Sequence, residues 1–165
     1  MSVAQIREIQ IQDNQQIAAA IREVFISDNF PKTGTAFEDP QLDFMFQTYN
    51  KDKSVYFVIE ENEKIVGGAG ISQLENATSM LCELQKMYLL TGSRGKGLGQ
   101  QLIKKCLQKA SEFGYTHCYL ETLREMVIAQ HLYKKMGFEY LENPIGNTGH
   151  TSCPVWMIKE LTSNF

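Results

Sequence analysis

Apolar and polar positions alternate from Val3 to Ile11, the period of two expected of a strand. The period then lengthens. Ile17, Ala20, Ile21, Val24 and Phe25 recur at helical spacing behind Asp13 or Asn14, either of which can cap. Phe30-Pro31-Lys32-Thr33-Gly34-Thr35 interrupts the pattern and reads as loop. A second helix is expected from Pro40 to about Tyr49, with Leu42, Met45, Phe46 and Tyr49 on one face. Ser54 to Glu60 and Ile65 to Ile71 read as a hairpin turning at Glu61-Asn62-Glu63-Lys64, its second strand interrupted by three glycines. Leu81 to Leu90 is a further strand. An amphipathic helix follows on Leu98, Leu102, Ile103, Cys106, Leu107, Ala110 and Phe113. Thr116 to Thr122 is a strand, Met126 to Met136 a helix, and Phe138–Leu141 and Pro154–Leu161 the last strands. The order β-α-α-β-β-β-α-β-α-β-β predicts an α+β fold, a mixed sheet with helices packed on it.

Composition narrows the class. With 165 residues, 43% of them hydrophobic, the chain suits one domain around one core. A net charge of −3 gives no general attraction to nucleic acid or to an anionic membrane. No apolar stretch approaches the roughly 20 residues that span a bilayer, and the first residues lack the apolar core of a secretory signal. A cytoplasmic protein is expected. Cys82, Cys106, Cys118 and Cys153 form no Cys-x-x-Cys pair and read as reduced core or near-core thiols. His117, His131 and His150 lack the short spacings of a zinc site, so no metal is expected.

The chemistry concentrates in Met87-Tyr88-Leu89-Leu90-Thr91-Gly92-Ser93-Arg94-Gly95-Lys96-Gly97-Leu98-Gly99-Gln100. A strand ends, a glycine-rich loop follows, and a helix begins at once. That arrangement presents unpaired N–H groups at a positive helix end, and glycines let an anion approach the backbone. The spacing is neither Gly-x-Gly-x-x-Gly nor Gly-x4-Gly-Lys-Ser/Thr, which disfavours dinucleotide and nucleoside triphosphate sites. From Leu84 to Ser111 there are six bases (Lys86, Arg94, Lys96, Lys104, Lys105, Lys109) and no acid. Lys104, Lys105 and Lys109 read as the solvated face of the helix, whereas Arg94 and Lys96 sit inside the loop and point to a phosphorylated ligand.

Arg94-Gly95-Lys96-Gly97-Leu98-Gly99 resembles the Arg/Gln-x-x-Gly-x-Gly/Ala signature of the GNAT superfamily of N-acetyltransferases. Downstream, Ala129-Gln130-His131-Leu132-Tyr133-Lys134-Lys135-Met136-Gly137-Phe138 is similar to that family's Ala-x-x-x-Tyr-x-x-x-Gly-Phe block. The resemblance implies a single N-acetyltransferase domain over residues 1–165. Its central twisted sheet is mostly antiparallel, with about six to seven strands and helices on both faces. It implies acetyl-CoA as co-substrate, the amides from Gly95, Lys96, Gly97, Leu98 and Gly99 to Gln100 on its pyrophosphate, and Met87, Tyr88 and Leu89 guiding the pantetheine arm. It also implies that Phe30–Asp39 and Asn143–Cys153 wall the acceptor pocket. Two features depart from the family: Met126 replaces an Asn before the helix, and Leu90-Thr91-Gly92 replaces a Pro after the strand.

Acetyl transfer to an amine needs a base for the ammonium and an acid for the departing thiolate. Glu83 is the candidate base where relatives carry a glutamate; burial would have to raise it from about 4.3 towards roughly 6–7. It reads equally as a structural acid on the sheet, paired with Lys86 or a backbone donor. Glu121 is the rival base and can act through water. Tyr133 is the candidate acid, a phenol at about 10 beside a thiol at about 8.5. It also falls on the apolar stripe of Ala129, Leu132 and Met136, so packing accounts for it too. His150 reads as a loop hydrogen-bonder and Trp156 as core. The expected function is transfer of acetyl from acetyl-CoA to a primary amine of a small molecule or peptide, by direct attack, in a monomer or homodimer. The alternative is a non-catalytic acyl-CoA-binding sensor. A ribosome- or histone-directed modifier is disfavoured by the acidic total charge.

Overall fold

Alternation along the central strands decides which side chains meet which helices. The computed structural model describes residues 3–162; positions 1–2 and 163–165, which the expected domain also includes, lie outside the described residues. In β2 (Val55–Glu61), Val55, Phe57 and Ile59 face α3 (Leu98–Glu112), where Leu102, Ile103, Cys106 and Ala110 are buried against them. Tyr56 and Val58 point the opposite way, onto Ile17, Ile21 and Phe25 of α1 (Asn14–Ser27) and Met45 and Tyr49 of α2 (Met45–Tyr49). Helices therefore cover both faces. The remaining elements are β1 (Gln5–Glu8), β3 (Lys64–Gln73), β4 (Leu81–Leu89), β5 (His117–Thr122), α4 (Val127–Lys135), β6 (Glu139–Leu141) and β7 (Val155–Glu160). The seven strands lie in the order β1-β2-β3-β4-β5-β7-β6. Every pairing is antiparallel except β4 with β5.

Two features of the sheet prepare the site. β4 and β5 pair only from Leu81–Glu83 against His117–Tyr119; beyond that, β4 stays with β3 and β5 with β7, so the sheet opens between them. The second is a bulge in β4, where Gly68 and Gly70 lie opposite Tyr88 and Gln85 and the extra residue, Lys86, takes φ +49°. The Tyr56 hydroxyl donates to the Lys86 carbonyl at 2.7 Å and holds the bulge. Glycine is required beside that ring, because a Cβ on Gly68 would lie 2.9 Å from the Tyr56 hydroxyl and one on Gly70 2.6 Å from its ring.

Several expectations are corrected. β1 stops at Glu8 rather than Ile11, because Asp13 accepts from the Gln10 N–H and from Arg7 and draws Ile11–Asp13 into a 3-10 turn. The second helix divides into a 3-10 segment, Pro40–Phe44, and α2, since Phe44 (φ −131°, ψ 41°) is not helical. Trp156 is half-buried, not core: it packs beside Leu74, Leu81 and Tyr119 near the sheet edge. All four cysteines are buried and free, as expected.

Candidate active site

The glycine-rich loop begins where β4 ends. Thr91–Ser93 make one 3-10 turn, Gly95 and Gly97 both take φ +77°, and Gly97 caps α3. The first α3 amide given to a carbonyl is that of Gln101, to Gly97 at 3.2 Å. The N–H groups of residues 95–100 have no acceptor among the described residues, so a row of donors gathers at the positive end of a 15-residue helix. They open onto a groove of about 720 Å³ between β4, α4 and the end of α1, which Met87, Tyr88 and Leu89 also line. The edge of β4 facing that groove is the one that β5 leaves unpaired. Loop geometry is local, and the glycines and helix start already carry it.

The loop's charges are less free than their number suggests. Arg94 binds Asp28 at 2.7 Å and the Leu89 carbonyl at 3.0 Å; Lys96 binds Glu61 at 2.7 Å. Lys86 lies away from the loop altogether, its side chain 8% exposed and paired with Asp39 at 2.9 Å. The six bases therefore form no single patch, and anion attraction here rests more on backbone dipoles than on unpaired cations.

A second cavity, about 360 Å³, lies on the α2 side of the opening. Glu83 lines it, 6% exposed. Burial lifts its carboxyl to about 7, against the Gln85 hydrogen bond, which lowers it, and with the Glu121 charge, which adds to the rise. The pairing with Lys86 that the sequence allows is not made; Gln85 Nε2 donates to Glu83 at 2.6 Å instead, and Tyr49 donates to Gln85 Oε1 at 2.7 Å. Glu121 accepts from Tyr119 at 2.6 Å and from Thr148. Asp39 accepts from both Lys86 and His150. Burial alone would lower the His150 imidazole, but the Asp39 hydrogen bond and the Asp39 and Glu83 charges outweigh it and raise it above 6.5. The two cavities meet at Met87, Tyr88, Met126 and Tyr133. Tyr133 is 6% exposed and burial raises its phenol above 10; no fully buried side-chain polar atom among the described residues lacks a partner, so its unbonded hydroxyl opens onto the two cavities it lines.

Residues 18–138 match the profile of the Acetyltransferase (GNAT) family. The chain belongs to that family. It is 40% identical over 156 residues to the Escherichia coli protein named uncharacterized N-acetyltransferase YjgM, covering 94% of this chain and 93% of that one. Among solved structures, a GNAT-family acetyltransferase from Staphylococcus aureus superposes with TM-score 0.86 at 20% identity, over 97% of this chain and 100% of that one. The phosphinothricin acetyltransferase of Sinorhizobium meliloti, solved with AcCoA, superposes with TM-score 0.76 at 21% identity, over 96% and 88% of the chains.

Within this GNAT chain the expected residues divide between the two cavities. Met87 to Leu89, Arg94, Gly95 and Gly97 to Gln100 line the groove, Glu83 and Glu121 line the smaller cavity, and Tyr133 belongs to both. Phe30 faces the groove, whereas Asp39 and the 148–153 stretch wall the cavity. Met126, standing where the family often has Asn, reaches both, and its sulfur takes the Thr122 hydroxyl at 3.3 Å. Gln85 and Tyr49 are not among the residues expected at the site, and Asp39 enters the sequence reading only as the end of the Phe30–Asp39 wall. Gln85 had a signal, being two residues from Glu83 on one strand and hence on the same face. Replacing it with leucine removes the hydrogen bond that holds Glu83 down, so the Glu83 carboxyl is expected to titrate at higher pH when followed by its carboxyl NMR shift. An unmoved titration would show that the contact does not govern Glu83.

Proposed function

We propose that the protein transfers the acetyl group of acetyl-CoA to a primary amine by direct attack, with residues 1–165 acting as one catalytic domain in the cytoplasm. The observation carrying this reading is the meeting of groove and cavity in the β4–β5 opening, with a carboxyl titrating near neutrality on one side and an unengaged phenol on the other. The residues suit the cofactor: free amides at 95–100 for a pyrophosphate, and an open β4 edge beside Met87–Leu89 for an amide-bearing arm. When bound, acetyl-CoA supplies the thioester carbonyl and a thiol leaving group.

Glu83 is the base, taking the proton that an ammonium must lose before its nitrogen can attack. Glu121, fixed by the Tyr119 and Thr148 hydroxyls, stays at the cavity wall. Tyr133 donates its proton to the departing sulfur and is held neutral by burial until then. The test is thiol release from acetyl-CoA across a panel of amines and short peptides. Acceptor-dependent release well above background hydrolysis supports transfer; coenzyme A binding without any stimulation leaves only a binding protein.

The loop assignment has its own check. A Cβ at Gly97 would meet nothing within 4 Å, so it would stand in the space offered to the phosphates, and φ +77° strains any β-branched residue. Gly97→Val is expected to weaken coenzyme A by about tenfold or more in calorimetry. Unchanged affinity in a folded variant would place the phosphates elsewhere.

A further inference from the structure

The acceptor cavity is roofed by two segments far apart in sequence, Gly34–Phe44 and Asn143–Cys153. They are joined to each other directly. His150 Nε2 donates to both Asp39 oxygens at 2.9 and 3.0 Å, across 111 residues of chain, and the Ser152 N–H donates to the Gly34 carbonyl at 3.1 Å. At Gly34 the approach is close enough that a Cβ would lie 2.8 Å from the Ser152 hydroxyl oxygen. Asp39 is also tied beneath the roof, to Lys86 at the β4 bulge.

The 143–153 segment is pinned on its other sides as well. The Asn147 N–H donates to the Glu75 carbonyl at 3.2 Å, the Ile145 N–H to the Tyr119 hydroxyl at 3.2 Å, and the Thr148 hydroxyl to Glu121. A polypeptide acceptor is ordinarily held along an open groove or edge whose backbone groups are free to pair with it. Here the segments that would border such a groove are bolted to each other by one backbone and one side-chain link, and the N–H groups of Ile145 and Asn147 are spent on Tyr119 and Glu75. What remains beneath is about 360 Å³, room for a compact molecule rather than a chain of several residues.

We propose that the Asp39–His150 clasp is a specificity device, closing the cavity to polypeptide and restricting the acceptor to a small free amine. This rests on the acetyl-transfer reading above and names its substrate class. Asp39 and His150 act as positioning residues: they hold the roof, and they neither touch the transferred group nor move its proton.

The experiment compares amino-acid amides with tetrapeptide amides beginning with the same residues, so that each pair offers a similar α-amine, and adds simple alkylamines. For the parent protein, kcat/KM for the best small amine is expected to exceed that for the best peptide by about 10²-fold. His150→Ala cuts the clasp but leaves Lys86 paired with Asp39. That ratio should then fall about tenfold, chiefly through a lower KM for the peptides. Peptide turnover equal to that of the small amines in the parent overturns the clasp while leaving acetyl transfer intact. A folded His150→Ala protein with an unchanged ratio overturns it too. Should that variant fail to fold, the parental ratio still decides. Silence from both acceptor classes with coenzyme A bound sinks the transfer reading, and the clasp with it.

Discussion

Replacing Tyr133 with phenylalanine is expected to lower turnover about 10²-fold while coenzyme A binding persists. The change deletes one oxygen from a side chain that is 6% exposed and packs edge-on to Phe138 at 6.0 Å between ring centroids. Since the hydroxyl opens onto the cavities and no fully buried polar side-chain atom among the described residues lacks a partner, its loss leaves no buried group stranded. Stability should stay within about 1 kcal/mol, as for other volume-conserving changes. A packing role and an acid role therefore forecast different results. Single-turnover measurements with saturating acetyl-CoA separate them, and a folded variant acetylating at the parental rate would remove Tyr133 from the chemistry.

Glu83→Gln should cost more, about 10²- to 10⁴-fold in kcat/KM above neutrality, the range for losing a general base. In the parent, Glu83 works only when ionised, so kcat/KM should climb with pH through about 7 and then level off. The variant should lose that limb. The same substitution should stabilise the fold. Glu83 has its pKa raised on folding, from 4.5 to about 7, so its favourable contribution is complete below 4.5 and is lost as pH rises through about 7. At pH 8 the buried charge then costs up to about 3 kcal/mol, at 1.36 kcal/mol per unit, and glutamine relieves it. Denaturant melts at pH 4 and pH 8 test this: a gain confined to the higher pH fits a base strained by burial, and equal stability at both would show that Glu83 is not desolvated as described.

These two residues were visible from the chain through resemblance. Tyr133 stands in the block ahead of Gly137-Phe138 that resembles the family's, and Glu83 stands on the strand before the loop where relatives of the family carry a glutamate. The loop was the most legible part of all. Its glycines, positive φ values and helix start concern neighbours within a few residues, so the turn at Gly95 and Gly97 and the start of α3 at Leu98 are legible without any tertiary contact. Charge was less transparent. Arg94 and Lys96 looked free because Asp28 and Glu61 approach them from elements 66 and 35 residues away.

The order of strands and helices and the glycine-rich turn into α3 follow from local periodicity, because alternation and helical spacing dictate which side chains can share a face. The acceptor side follows from long-range closure. Nothing in the run Leu84-Gln85-Lys86-Met87-Tyr88 announces a bulge, since one extra residue changes register only relative to β3. That bulge turns Lys86 towards Asp39, and the opening between β4 and β5 joins the two cavities. Glu83 is the clearest case: its carboxyl is ordinary in the chain and is lifted to about 7 through the desolvation that folding imposes on it.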